Sequence, residues 1–267
     1  MLNLQNSEFK TVEQLRSIAP SIFTQHGSGN TSEKYSHIPT DRVIRDMEIL
    51  GWGVVDAKQV RARKNVGFQK HLVVFRNNDI SINGEDGDVV FPQILLTNSH
   101  DGKNAFTFTA GLFRMICENG LVACTDQFAD VKIRHMGYNF EELENTIKKM
   151  VETLPLTVEA MNKMVSIELE QEQILSLAKD LLETRVENTE NTFSYVSIEQ
   201  VLAPQRKEDE GNNLWKVFNR IQENILEGNF MYSTLKGKTR SARKIKNFQQ
   251  DMDLNKRMFS KALEYAN

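Results

Sequence analysis

An α+β fold is predicted for this chain: an N-terminal, mainly antiparallel sheet with helices, followed by a mostly helical C-terminal part. Two observations predict it. Between Trp52 and His135 the apolar residues come in short β-branched or aromatic runs divided by Asn, Asp and Gly, the texture of strands and turns. From Phe140 onward apolar residues recur every three or four positions, which is the period of an amphipathic helix. The change of period places an α+β domain at residues 1–137 and a helical region at 138–267, with a basic loop near 236–246.

The elements follow in order. Thr11 to Ala19 reads as a short helix capped by Thr11 and stopped by Pro20, and the small polar run from Gly27 to Ser32 as a loop. Pro39-Thr40-Asp41 opens a second helix with Val43, Ile44, Met47 and Leu50 on one stripe, and Gly51 ends it. Strands are expected at Trp52–Ala57, His71–Arg76, Asp79–Ile82, Val89–Leu96 and Ala105–Ala110. The last two flank a hairpin turn carrying Asn98-Ser99-His100-Asp101-Gly102. Leu112 to Cys117 is expected as a short helix ended by Asn119-Gly120, with further strands at Gly120–Cys124 and Asp130–His135. In the helical part Leu143, Ile147, Met150, Val151 and Leu154 make one stripe, Met161, Met164, Leu177 and Leu181 continue it, and Pro155 marks a break or kink. Pro204 to Asn213 reads as a polar linker. Helices at Leu214–Leu226 and Gln249–Tyr265 then flank the basic connection.

The chain has 267 residues, 40% hydrophobic and 26% charged, enough to bury a full core. No apolar run reaches the length of a bilayer span, and the N-terminus lacks the basic-then-apolar layout of a secretory signal. A cytoplasmic protein with no membrane partner is expected. Two cysteines, Cys117 and Cys124, are too few for a disulfide scaffold and are expected to be reduced. The net charge of -3 supplies no overall cationic surplus for nucleic acid. Its distribution is uneven: acids outnumber bases from Glu141 to Glu190, whereas Lys58–Arg76 and Lys236–Lys261 are basic.

His100-Asp101, Arg114, Cys117 and Asn119 form the densest polar constellation. A catalytic thiolate would need a base and an oxyanion donor, roles that His100 and Asn119 could fill. The turn chemistry of residues 98–102 and the usual burial of cysteine explain the same residues without catalysis. No catalytic residue is therefore assigned, and Arg114 and Asn119 are expected as buried, hydrogen-bonded anchors. The five histidines form no His-x-x-x-His pair and the cysteines no Cys-x-x-Cys pair, so no metal or other cofactor is expected. Asp86 and Asp88 read as an acidic turn, and a phosphate-binding Gly-x-x-x-x-Gly-Lys loop is absent.

The basic segments give the stronger lead. Lys58, Arg61, Arg63, Lys64 and Lys70 are interleaved with Phe68 and Phe75, a pattern in which cations track phosphates and aromatics stack on bases. Lys236, Lys238, Arg240, Arg243, Lys244 and Lys246 are punctuated by Gly237 and Ser241, so a flexible basic loop is expected there. Either segment reads equally as a solvated face. Trp215, Phe218, Ile221, Asn224 and Ile225 recur at helical spacing and should pack inward, with Asn219 and Glu223 making polar contacts at the margin.

Three blocks carry a resemblance: Leu95–Lys103 followed by Gly111–Leu121; Leu214–Asn224; and Arg240–Lys246 with Asp253–Lys256 and Ala262–Ala266. In this order they resemble the phage/plasmid-like family described as domain of unknown function 932, found on mobile elements and prophages. The motif positions are Asn98, His100, Asp101, Arg114, Cys117, Asn119, Trp215, Asn219 and Glu223. The resemblance implies a role in replication, recombination or counter-defence. With the basic segments it leads to the first expectation, a non-enzymatic protein that binds or anneals single-stranded DNA or RNA, for which a homo-oligomer would be natural. The alternative is a mobile-element protein that modulates a host protein through its acidic helical half. A Cys/His-dependent enzyme ranks third.

Overall fold

The computed structural model describes residues 9–29, 31, 35–62, 64, 66–80, 82–83, 89–104, 106–114, 121–123, 131–133, 139–186, 193–234 and 236–266. Its elements begin with helix α1 (Val12–Ile18), a 3-10 turn (Pro20–Phe23) and α2 (Thr40–Ile49). Strands β1 (Gly53–Gln59), β2 (His71–Arg76), β3 (Ile82–Asn83), β4 (Val89–Asn98), β5 (Phe106–Arg114), β6 (Leu121–Ala123) and β7 (Val131–Ile133) follow. Then come α3 (Phe140–Val165), α4 (Gln171–Val186), β8 (Phe193–Val196), α5 (Ile198–Leu202), a 3-10 turn (Lys207–Asp209), α6 (Leu214–Glu227), β9 (Met231–Thr234), β10 (Thr239–Ser241) and α7 (Phe248–Glu264). The chain is α+β, with the antiparallel sheet first and a mostly helical region after it. It divides into two compact units: Met1–Ile82, Val89–Met115 and Gln127–Leu154 in the first, and Asn83–Asp88, Ile116–Asp126 and Pro155–Asn267 in the second.

In the first unit, local signals set the helix ends. Thr11 Oγ1 accepts from the Gln14 amide at 3.3 Å while Gln14 Oε1 accepts from the Thr11 amide at 2.9 Å, a reciprocal cap on α1. α2 ends where Gly51 adopts φ 84°, its N–H bonding Glu48 and that of Trp52 bonding Met47. That closing pair needs a left-handed residue, which glycine supplies without a Cβ penalty. Strands β1, β2, β4 and β5 lie side by side in that order, all antiparallel, with β7 pairing on β5. All six residues of β2 are buried, as suits a strand covered on both faces. Around it pack Val43, Ile44 and Met47 of α2, Val54 and Ala57 of β1, and Ile94, Leu95 and Leu96 of β4.

One expected helix is a strand. Leu112, Phe113 and Arg114 belong to β5, pairing with Pro92, Phe91 and Val90. The ten-residue β4 offers ladder positions along its whole length, and using them satisfies backbone groups that a one-turn helix would leave open. Residues 115–120 lie outside the described residues.

The second unit is built on α6, of which every residue except Lys216 and Glu227 is buried. Trp215, Phe218, Ile221 and Ile225 pack inward as their spacing predicts, and Trp215 stacks on Phe218 with ring centroids 6.2 Å apart. A helix buried on all sides must also find partners for its polar side chains. Asn224 Nδ2 donates to the carbonyls of Val201 and Ala203 at 2.9 and 2.8 Å. Arg220 reaches the Gly211 carbonyl at 2.7 Å, Gln222 bonds Asn255 of α7, and Arg206 bridges Glu223 at 2.7 Å. Asn219 is interior rather than marginal, its amide donating to the Trp215 carbonyl at 2.7 Å.

Three further expectations are corrected here. α3 runs through Pro155, and the break falls at residues 166–170, where the Leu169 amide bonds the Asn212 carbonyl and Glu168 bridges Asn213. Long-range pairing, not the proline, sets that boundary. The stretch 204–213 is no mere linker, since it holds a 3-10 turn with Asp209 buried. The basic connection is a hairpin, β9 with β10, completed into a three-stranded sheet by β8, an element the pattern did not announce.

The chain leaving β10 crosses the end of α6. Gly228 caps the helix at φ 78°, and a Cβ there would lie 2.6 Å from the Arg243 carbonyl carbon and 2.8 Å from that of Ala242. Substituting Gly228→Ala is expected to destabilise the protein by about 2 kcal/mol or more, because left-handed strain of roughly 1–2 kcal/mol adds to a backbone collision. Urea unfolding followed by the fluorescence of buried Trp215 checks it.

Candidate functional site

Register brings the first polar cluster together. Gln59, His71 and Asn98 stand abreast on β1, β2 and β4, and cross-strand neighbours present their side chains on one face. Over that face come the 3-10 turn, which contributes Ser21, and the first residue of α2, Thr40. Ser21 Oγ lies 3.0 Å from His71 Nδ1, Thr40 Oγ1 lies 2.8 Å from His71 Nε2, and Asn98 Nδ2 lies 3.0 Å from Thr40 Oγ1.

The bond directions follow from chemistry. The Gln69 carbonyl, 3.0 Å from His71 Nδ1, can only accept, so Nδ1 carries the proton and Nε2 the lone pair. Thr40 therefore donates to Nε2 and accepts from Asn98. The Asn98 amide is itself oriented by the Ser99 N–H, which donates to Oδ1 at 2.8 Å, and by the Ile38 carbonyl at 3.3 Å. Burial without a counter-charge pushes the His71 imidazole down to about 4, the Gln69 carbonyl opposing only weakly, so the ring is neutral at pH 7.

Two more histidines join it. The His100 ring sits 5.1 Å from that of His71 and 4.6 Å from that of His37. His100 is fully buried, and its backbone ties three segments: its carbonyl accepts from Ser28, and its amide donates to Phe68. His37 Nε2 donates to the Thr24 carbonyl at 3.1 Å, and Thr24 Oγ1 donates to the Gly67 carbonyl. Among the described residues no group of His, Cys, Asp and Glu is arranged to hold a metal ion. The cluster serves as a platform for the loops around it.

On that platform opens a cleft of about 440 Å³ lined by Val60, Ala62, Lys64, Gln69, Lys70, Asp101, Lys103 and Asn104. Its rim at residues 99–104 is a self-braced turn. Asp101 Oδ1 accepts from Ser99 Oγ at 2.7 Å and from the Lys103 amide at 3.1 Å, and Asn104 Nδ2 donates to Ser99 Oγ at 3.1 Å. Gly102 adopts φ 74° at the tip. Burial, with the Asp101 charge adding to it, holds the neighbouring Tyr35 phenol above its ordinary range, and its OH donates to the Ser99 carbonyl at 3.3 Å.

The basic residues of the first segment thus part company. Lys64 and Lys70 line the cleft, Arg61 is exposed beside it, and Lys58 lies 3.8 Å from Asp56 on the exposed β1 edge. Arg63 lies outside the described residues. Phe75 is fully buried and Arg76 nearly so, which removes Phe75 as a stacking surface because β2 is the covered middle strand. Phe68 is half-buried against His26, centroids 5.5 Å apart. Of the second segment, Lys236 and Lys238 sit exposed at the hairpin tip and Arg240 lies on β10 opposite Tyr232. Lys244 is paired with Glu227 at 2.6 Å, and the Arg243 carbonyl is held by Arg185 at 2.7 Å.

Of the motif positions, Asn98, His100 and Asp101 build the platform and its rim, while Trp215, Asn219 and Glu223 belong to the core of the second unit. The expected anchoring by Arg114 and Asn119 and the thiol of Cys117 lie outside the described residues; of Arg114 only the backbone in β5 is described. Pattern reading missed His37, His71, Thr40 and Gln69 as partners, since they come from a loop, a strand, a helix start and a turn with no common spacing. Lys103 had a signal, standing next to the motif turn.

Fold and cleft together define an α+β protein with a buried polar platform beneath a lysine-lined cleft. The chain belongs to the family described as domain of unknown function 932, which it matches over residues 28–259. It is 30% identical over 251 residues to UPF0380 protein YfjQ of Escherichia coli (strain K12), covering 93% of this chain and 89% of that protein. The same figures hold for UPF0380 protein YafZ of that organism. No solved structure matches. No helix among the described residues is long and apolar enough to cross a membrane.

The sign of the pH dependence follows from His71. Its folded value of about 4 lies below the ordinary 6.5, so between those limits the unfolded chain binds the extra proton. Stability from the neutral ring is present in full above about pH 6.5 and is lost as pH falls towards 4, a contribution of about 3 kcal/mol. Ring-nitrogen NMR of the native protein should find His71 neutral at pH 5.5 with its proton on Nδ1. A proton on Nε2, or half-protonation near pH 6.5, would refute the network.

Proposed function

We propose that this protein is a non-enzymatic nucleic-acid-binding protein of phage- and plasmid-type DNA metabolism, holding single-stranded DNA or RNA at the cleft of the first unit. The observation that carries this reading is the convergence of Lys64, Lys70 and Lys103, from the β1–β2 loop and the β4–β5 turn, in one cleft. Exposed Arg61 extends the cationic track, and Phe68 offers a partly accessible ring. Such a surface neutralises phosphates and leaves bases free to stack, which is how sequence-tolerant single-strand binding works. In the second unit, the hairpin residues Lys236, Lys238 and Arg240 are a further exposed cationic surface supporting the same reading. His100, fully buried, is ill placed to act as a base on an external substrate, which weighs against the enzymatic alternative.

Binding should weaken with salt, because each neutralised phosphate contributes a log–log slope of about 0.7 on single strands. Replacing Arg61, Lys64 and Lys103 together by Ala should flatten the slope by about two while leaving the fold intact, all three being exposed. Fluorescence anisotropy with labelled oligothymidylate across a salt series measures it. No binding by the wild type at low salt, or an unchanged slope in the variant, would defeat the proposal.

A further inference from the structure

We infer that the β9–β10 hairpin of the second unit is a site for double-stranded DNA, separate from the single-strand cleft, gripping the phosphate backbone with the hairpin seated in the major groove. The inference rests on the nucleic-acid reading above and gives it a second ligand. Charge is the first observation. From Lys236 to Lys246 the chain holds Lys236, Lys238, Arg240, Arg243, Lys244 and Lys246 and no acid. Lys244 is spent on Glu227, whereas Lys236, Lys238 and Arg240 are exposed and meet no carboxylate among the described residues. A braced frame carries them. Gly237 turns the hairpin at φ 71°, its amide donating to the Thr234 carbonyl at 2.8 Å while the Thr234 amide donates to that of Lys238 at 2.9 Å. At the base the Ala242 amide bonds the Phe230 carbonyl at 2.9 Å, the Ile245 amide bonds that of Leu226 at 2.8 Å, and Arg185 donates to the Ile225 and Arg243 carbonyls.

The second observation is what accompanies the cations. β10 is the outer strand of its three-stranded sheet, and all three of its residues are exposed. Lys238 and Arg240 stand two positions apart, so they share one face at a spacing of about 6.8 Å, and Thr239 and Ser241 carry hydroxyls on the other. Among the described residues of the hairpin no aromatic ring is exposed: Phe230 is buried, and Tyr232, opposite Arg240, is half-buried. Single-strand binding draws on bases stacking against such rings, which this surface does not offer. A duplex asks for none, because its bases are stacked on one another and its outside is backbone. Lys, Arg, Ser and Thr are side chains that bond phosphate and sugar. A two-stranded β-ribbon is also one of the elements that the B-form major groove, about 12 Å wide, admits. An acidic polypeptide would match the charge alone; duplex DNA matches charge, side-chain chemistry and shape together.

The test follows the anisotropy of a labelled DNA duplex of about 20 base pairs, two helical turns, and of labelled oligothymidylate, each titrated with the full chain across a salt series. The wild type should bind both. Lys236→Gln, Lys238→Gln and Arg240→Gln together should weaken duplex binding about tenfold more than oligothymidylate binding, and should flatten the duplex log–log slope by about 2 to 3, at about 0.9 per phosphate. Replacing Arg61, Lys64 and Lys103 by Ala should bias the loss the other way, towards oligothymidylate. If the hairpin triple variant fails to fold, Lys236→Gln with Lys238→Gln, confined to the exposed tip, should flatten the duplex slope by about two. Duplex RNA, whose major groove is deep and narrow, should bind more weakly than duplex DNA, and parity would overturn the groove docking. Binding of oligothymidylate without duplex, an equal loss on both in the hairpin variant, or displacement of the duplex by polyglutamate at equal charge would overturn the inference and leave single-strand binding standing. No binding of either nucleic acid would defeat the underlying reading instead.

Discussion

A neutral imidazole sealed inside a sheet has one proton and one lone pair to place, and the first unit is arranged around how His71 places them. Its proton goes to the Gln69 carbonyl at 3.0 Å, with Ser21 Oγ sharing it, and its lone pair takes the Thr40 hydroxyl at 2.8 Å. Each bond fixes a different segment: the loop after β1, the 3-10 turn, and the start of α2. Asn98 closes the chain from the neighbouring strand by donating to Thr40 and Ile38. A buried polar group without a partner costs about 1–3 kcal/mol, so the network acts as a registration device: a shifted strand leaves several donors and acceptors open at once. One-residue slippage would turn both His71 and Asn98 to the opposite face of the sheet.

The second unit solves the same problem from the opposite direction. Its central helix is enclosed on nearly every side, yet it carries Asn219, Arg220, Gln222, Glu223 and Asn224 in succession. Asn219 bonds back to the Trp215 carbonyl of its own helix, whereas Arg220, Gln222 and Asn224 reach outward to the 3-10 turn at 207–209, the loop at 211, α7 and the end of α5, so one helix ties down four surrounding segments. Desolvation lowers the Arg220 guanidinium from its ordinary value, and the Asp209 charge acts against that, a balance found where a cation is kept inside by a fixed acceptor. The motif positions Trp215, Asn219 and Glu223 thus lie in the interior of the second unit.

Elements governed by local periodicity were legible in the sequence: α1 with its Thr11 cap, α2 with its Gly51 stop, the β4–β5 hairpin and α6. What escaped was decided by distant partners. Residues 112–114 look helical by composition and are strand because β4 extends beside them, and the break after α3 lies where Asn212 and Asn213 pair, eleven residues beyond Pro155. The site divides the same way. Lys64 and Lys70 could be nominated from charge, and Asn98, His100 and Asp101 from the motif. Phe75 was misread because alternation cannot distinguish a strand covered on two faces from one covered on one. That His37 and His71 meet His100 depends on the packing of three separate segments, and no spacing rule encodes it.

The overall charge of -3 and the cationic cleft are compatible because they act at different ranges. At physiological ionic strength the Debye length is about 8 Å, so a phosphate held there as proposed would respond first to the residues that line the cleft, Lys64, Lys70, Lys103 and Asp101. On that reading a polyanion approaching from farther away would gain little from steering by a chain of net charge -3, and short-range contacts would have to supply the affinity. Such contacts are effective only if they are positioned in advance, since ordering a long lysine side chain or a loop at the moment of binding consumes part of what it gains. Here the loop at 66–69 is tied to Thr24 and His100, and the turn at 99–104 is braced by its own Ser99, Asp101 and Asn104. On the proposed reading the buried histidine platform would matter to binding indirectly, because it ties down the two loops that bear the cations, the one at 66–69 and the turn at 99–104.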